Sequence, residues 1–259
     1  MESGYRSPLL DFFRRGEVAR DIRQMAAEGA LAPRAHEQLA LLIFLADDAD
    51  ESIAASANAT LDALPVEPLQ AFLARSDVPD QMRDFFATRG VKIGDQPATD
   101  TGPLVDSDPD PALEEEEATD EKAEPLVLST LSIMQRMKLA MKGSKAQRAQ
   151  LVRDSNKLVA AAVLSSPKLT ESEVEAFAKM ANVSEETLRT IAMNRAWSKN
   201  YGVIAGLTRN PKTPVAIAMQ MVHRLNDRDL KALMTDRNVQ EVVRLTARRL
   251  AVKGPKGSD

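Results

Sequence analysis

The chain contains no cysteine, which excludes disulfides, thiolate metal sites and cysteine nucleophiles and fits a reducing compartment. Its two histidines, His36 and His223, stand too far apart to suggest a histidine metal cage or a histidine-dependent triad. Aromatics make up 4% of the chain, and runs of β-branched residues are short, so a sheet-built core has little material. The longest strongly apolar stretch is 39–46, well below the roughly 20 residues that span a bilayer. The opening MESGYRSPLLDFFRRG lacks the basic stretch and apolar run of a secretory signal. Neither GxGxxG nor GxxxxGK[ST] occurs, so the common phosphate-cradling loops are missing. The expectation is a soluble cytoplasmic protein that is not an enzyme, with no cofactor, no metal, no membrane partner and no small-molecule substrate.

Ala, Leu, Met, Arg, Glu and Gln are plentiful, and all of them favour helix. Ser7-Pro8 pairs a hydroxyl cap with proline at the first helical position. Val18, Ile22, Met25 and Ala26 follow at helical spacing. Residues 34–46, opened by Pro33, are apolar around most of a helical circumference, which predicts a helix buried on nearly all sides. Asp47, Asp48 and Asp50 form a turn and cap before a stripe of Ile53, Ala54, Ala57, Leu61 and Leu64. Two short helices bring the region to Gly90. Helical order returns from 129: Thr170 with Glu173 is a capping box, Ser184 is a cap, Thr213-Pro214 opens a helix, and Asn226 or Asp227 opens another.

Charge is segregated along the chain. Residues 126–259 hold 23 Lys and Arg against 11 acids; residues 95–125 hold 12 acids against one Lys. The stretch 92–126 is rich in Pro, Asp and Glu and poor in large apolar residues. It cannot bury enough surface to offset a backbone ordering cost of about 1–2 kcal/mol per residue. The predicted fold is therefore all-α: an N-terminal helical module over 1–91, a disordered acidic linker over 92–126, a basic C-terminal helical module over 127–254 and a disordered tail over 255–259.

The C-terminal region echoes itself. LSSPKLTESEVEAF at 164–177 aligns loosely with LTRNPKTPVAIAM at 207–219, and ANVSEETLRTIA at 181–192 with RNVQEVVRLTAR at 237–248. A proline-marked turn between amphipathic helices at a period in the forties suits helical-pair solenoids. With these pairs and the segment QLALLIFLADDADESIAASANATLDALP, the chain resembles the HEAT/armadillo-like helical repeats over most of 7–90 and 129–253. It is also similar to a bacterial family of such proteins, a likeness that implies no activity. The resemblance implies a scaffold, an adaptor or a nucleic-acid binder.

The motifs reduce to surfaces. Ser165-Ser166-Pro167-Lys168 matches S-x-x-K but lacks the accompanying SDN and KTG. A basic segment carries Arg136, Lys138, Lys142, Lys145, Arg148, Arg153 and Lys157, with Asn156 among them. Such clustering suits phosphate or acidic protein, and equally a solvated helix face. The stretch NRAWSKNY joins Asn194, Arg195, Trp197, Lys199, Asn200 and Tyr201, and it holds the only Trp. Trp, Tyr and Arg most often dominate interfaces; the plainer reading is Trp197 covering a junction between helices. Arg209, Asn210 and Lys212 occupy the turn after the next helix, and Arg153, Asn156 and Lys157 an earlier one, so all three groups are expected along one edge. The function expected is an adaptor whose basic module grips an acidic protein surface or the chain's own linker, with nucleic acid as the alternative partner.

Overall fold

A computed structural model describes residues 4–32, 34–105 and 131–253. Pro33, most of the predicted linker (106–126) and the predicted tail (255–259) lie outside the described residues. Among those described there are fifteen α-helices, one 3-10 turn (Trp197–Lys199) and no strand. The helices are α1 (Pro8–Arg14), α2 (Arg20–Ala27), α3 (Ala35–Leu45), α4 (Glu51–Asp62), α5 (Val66–Leu73), α6 (Asp80–Thr88), α7 (Ile133–Lys142), α8 (Lys145–Leu151), α9 (Lys157–Ser165), α10 (Glu171–Lys179), α11 (Glu185–Met193), α12 (Tyr201–Arg209), α13 (Val215–Val222), α14 (Asp227–Thr235) and α15 (Glu241–Lys253). None is long and apolar enough to cross a membrane. The predicted caps at Ser7, Asp50, Ser184 and Asn226 accept N–H groups of their helices, and Thr170 with Glu173 closes a full capping box. Thr213 is an exception: its side chain is buried and its hydroxyl caps nothing. The turn bond from its N–H to the Asn210 carbonyl carries the chain into α13 instead.

The chain divides into two compact units, Met1–Arg148 with Ala161–Lys168, and Ala149–Ala160 with Leu169–Asp259. Packing and charge thus draw different boundaries. Charge sets apart everything after 126, whereas α7 and the end of α9 group with the N-terminal helices. The end of α9 is bound to α7 and faces α3. The Ser166 hydroxyl donates to the Met141 carbonyl at 2.8 Å. Arg148 is buried and donates to the carbonyls of Gly143 at 2.7 Å and Lys168 at 3.3 Å. Ser165 faces Glu37 of α3.

In this first unit α3 is the centre, packed on α1, α2 and α4. Leu39, Leu41, Leu42, Ile43 and Leu45 are almost wholly removed from solvent, each worth about 1.5–3 kcal/mol. The apolar circumference predicted this position. It did not predict that Glu37 and Gln38 in the same helix would be buried too. The Glu37 carboxyl is fully buried, facing the hydroxyls of Ser7 and Ser165, and burial raises its pKa. Its Oε1 and the Ser165 hydroxyl nevertheless lack hydrogen bonds among the described residues. Beside it, His36 is stacked on Tyr5 at 5.5 Å and meets Phe72 edge-on at 4.6 Å, and burial lowers its pKa. Burial likewise pushes the Tyr5 hydroxyl up to about 12. His36 is therefore a packed ring.

The first part of the predicted disordered linker is held in place. The Gly94 and Ala98 N–H groups donate to the Gln70 and Ala71 carbonyls of α5, and Ala35 N–H donates to the Thr101 carbonyl. Arg75 donates to the carbonyls of Ala98 and Asp100. Composition alone argued from the apolar area the segment could bury. Its order comes instead from backbone groups paired with helix ends and polar side chains.

A carboxyl whose folded pKa is raised contributes stability that is complete below its unfolded value, near 4.5, and is lost as pH rises through the folded value. Glu37→Gln removes that dependence. Thermal unfolding of the full chain should show little change at acidic pH. At neutral pH the variant should be more stable by about 1–3 kcal/mol, the cost of a buried group that must ionise or stay unpaired. An identical pH dependence in both proteins would place the carboxyl in water.

Candidate functional site

In the second unit α10 packs on α12, α12 on α13, and α15 on both α13 and α14. The turns between these helices are built on polar side chains. Asp154, Asn194, Asn210 and Asp236 each accept, through Oδ1, the N–H two residues onward, at 2.8–3.0 Å. Each side chain thus replaces a backbone partner where a helix has just ended.

Hydrogen bonds between turns define two edges. On the first, Asn210 is buried and its amide donates to the carbonyls of Ala178 and Met180, both at 2.9 Å. Gln240 in turn donates to the carbonyls of Pro211 at 3.1 Å and Thr213 at 3.4 Å. This aligns the turns near 180, 210–213 and 236–240. On the second edge, Asn200 reaches Glu171 at the start of α10. The Tyr201 hydroxyl donates to Asp229 of α14 and accepts from the Asn226 N–H at 3.2 Å. Desolvation, then the Asp229 carboxylate, raises the Tyr201 pKa, so the hydroxyl stays protonated.

The expected single edge is therefore two. Asn194, Arg195, Trp197, Lys199, Asn200 and Tyr201 stand at one end of α12, and Asn210 with Lys212 at the other. Helices alternate in direction, so successive turns alternate in edge, and similar residue types one helix apart face opposite ways. Arg209 closes α12 but reaches back to Asp229 at 2.6 Å, joining the Tyr201–Asp229 pair. Between the two ends a groove of about 760 Å³ runs over Gly202, Ala205 and Gly206, walled by Glu175 and Lys179 on one side and Asp236 and Asn238 on the other. Lys179 and Glu175 pair at 2.5 Å, so the groove carries both signs of charge.

The basic segment is also divided. Lys142 and Lys145 are exposed in the first unit, where Arg148 spends its guanidinium on carbonyls and is buried. In the second unit Asn156 caps the start of α9 by accepting the Leu158 N–H at 2.9 Å. Arg153 donates to the Ala149 carbonyl at 2.9 Å, and Lys157 pairs with Glu186 at 3.2 Å. Near 23–50, Arg23 and Arg20 pair with Asp48 and Asp50. The Ser52 hydrogen bond first, then Arg20, holds Asp50 down to about 2. No metal-holding group of acids or histidines occurs among the described residues.

The strongest concentration of interface-type side chains is the second edge. Arg195 and Lys199 are exposed and carry no ion pair among the described residues, and Trp197 is half-buried. Tyr201 is 39% exposed. Two residues escaped sequence reasoning. Met193 is 75% exposed at the end of α11, and its signal was available: it falls off the inward stripe of Leu188 and Ile191. Arg224 is exposed in the turn brought alongside by the Tyr201–Asn226 bond, a proximity no spacing encodes. Glu171 and Asp227 stand exposed at the same ends of their helices. The chain matches no known protein family, no curated protein and no solved structure.

The two asparagines offer a comparison. Asn210→Ala leaves the buried Ala178 carbonyl and the part-buried Met180 carbonyl without the amide and should cost about 1–3 kcal/mol. Asn194→Ala loses an outer turn bond and should cost less, about 0.5–1.5 kcal/mol. Chemical denaturation of the two variants reads the difference, and equal losses would contradict the buried role of Asn210.

Proposed function

We propose that this chain is a non-catalytic interaction protein built from HEAT/armadillo-like helical repeats, and that it grips an acidic protein surface. Support for the repeat reading comes from the turns. Asp154, Asn194 and Asp236, which all bond the N–H two residues onward, lie 40 and 42 residues apart. Ser166 and Asn210, 44 apart, do the same before Pro-Lys. Three helices separate the members of each set, a recurrence of the length and helix count that armadillo-type units have.

The observation that carries the binding reading is the edge joined by the Tyr201–Asn226 hydrogen bond. It assembles exposed Met193, half-buried Trp197, Tyr201 and the cations Arg195, Lys199 and Arg224. Aromatic residues, Met and Arg are the types enriched in interfaces. Unpaired cations steer an acidic partner toward them. The acidic residues of the sequence after 105 are then a built-in competitor, at the effective concentration their tether sets. Duplex nucleic acid is the second reading of the same cations; the Glu171 and Asp227 carboxylates beside them favour a protein surface of mixed polarity.

Trp197 is the only tryptophan, so its emission reports this edge directly. Titrating polyglutamate into the full chain at low salt should shift that emission, and salt should reverse the shift. Arg195→Glu with Lys199→Glu should weaken the response about tenfold, near 1.4 kcal/mol. Lys142→Glu with Lys145→Glu, in the other unit, should leave it unchanged. A silent Trp197, or an equal loss from the control pair, overturns the reading. Tight duplex binding with a steep salt slope transfers the edge to nucleic acid.

A further inference from the structure

The first unit holds a peptide-like contact that the charge reading does not use. Residues 98–105 run past the start of α3 without helical structure of their own. Gln38 is buried on α3, and its side-chain amide reads their backbone. Its Oε1 accepts the N–H groups of Leu104 at 2.7 Å and Val105 at 3.1 Å. Its Nε2 donates to the Val105 carbonyl at 3.0 Å and to the Gly29 carbonyl at 2.8 Å. Gly29 has φ +80°, and a Cβ there would meet the Val105 side chain at 3.1 Å, so the glycine both makes the turn and leaves room for the visitor. Further back, Ala35 N–H and Arg75 hold the carbonyls of Thr101, Ala98 and Asp100.

We propose that this face of α3 is a docking site for an extended peptide carrying a Pro-Leu-Val type sequence, read through its main chain, and that the segment 98–105 fills it in cis. Three features support a bound ligand over a piece of core. Leu104 and Val105 remain half-exposed, while the residues receiving them are buried. Every hydrogen bond from Gln38 to the segment goes to its backbone, which is how extended peptides are recognised when they add to a protein edge. The segment is also tethered, so it holds the site at the millimolar effective concentrations typical of short linkers and shuts out weaker peptides. A partner peptide of this sequence type must displace it.

The test uses the full chain and a labelled synthetic peptide, ATDTGPLV, identical to residues 98–105. Leu104→Pro with Val105→Pro removes both N–H donors to Gln38 and empties the site. That variant should bind the peptide saturably in fluorescence anisotropy, with at least about tenfold higher affinity than the native chain. Adding Gln38→Ala should abolish the binding. In the native chain, the Leu104 and Val105 amides should be protected from hydrogen exchange, and Gln38→Ala alone should accelerate them about tenfold or more while α3 amides keep their protection. No peptide binding to the emptied variant overturns the proposal, as does unprotected exchange at Leu104 and Val105 in the native chain. Loss of helical circular dichroism in the emptied variant also overturns it, because the segment would then be a part of the fold and not a ligand.

Discussion

A helix of n residues leaves four N–H groups at one end and four carbonyls at the other without partners inside it. In this chain, where the described helices run from seven to thirteen residues, those ends are close to half of the helical backbone groups. Isolated helices of such length are marginal in water. The fold therefore depends on how its helix ends are paired, and polar side chains in the turns do much of that work. Asn210 joins two turns, Gln240 joins two more, Arg148 holds Gly143 and Lys168, and Gln38 holds Gly29 and Val105. Where the junction is buried, as at the Ala178 and Gly29 carbonyls, leaving the carbonyl unpaired would cost about 1–3 kcal/mol.

Some of the basic residues are spent within the fold. Arg148 is consumed by carbonyls, Arg153 leans on the end of its own helix, and Lys157, Lys179, Arg189 and Arg209 face carboxylates. Exposed pairs of this kind contribute only about 0–1 kcal/mol of stability. Their larger effect is to cancel field locally, leaving other cations exposed without an ion pair among the described residues. Arg195, Lys199 and Arg224 are among those, and they fall on one edge.

Much of the fold was legible in the sequence because local rules are strong at short range. Ser7-Pro8, the Thr170–Glu173 box and the apolar girdle of 39–45 state their roles without reference to anything distant. The site was only partly legible. Asn194 and Asn210 make the same local turn bond, and nothing in their neighbours says that one is half-exposed and the other buried on the opposite edge. The difference lies in the direction of the helix between them. Gln38 was missed for a related reason. A glutamine in an apolar helix reads as a solvated position, and its partners stand 66 and 67 residues further along the chain. The ordering of 94–105 was invisible to composition because hydrogen bonding to a preformed surface leaves no compositional trace.

The two surfaces differ in what they demand of a partner. The edge around Trp197 presents charge and aromatic area, so its selectivity rests on long-range attraction and on how well a partner covers the rings. The face of α3 around Gln38 presents a buried amide whose donor and acceptor must both be answered by one stretch of backbone. Here the penalty for a wrong partner is a buried polar group left unpaired. The first discriminates by sign and salt, the second by shape and main-chain geometry.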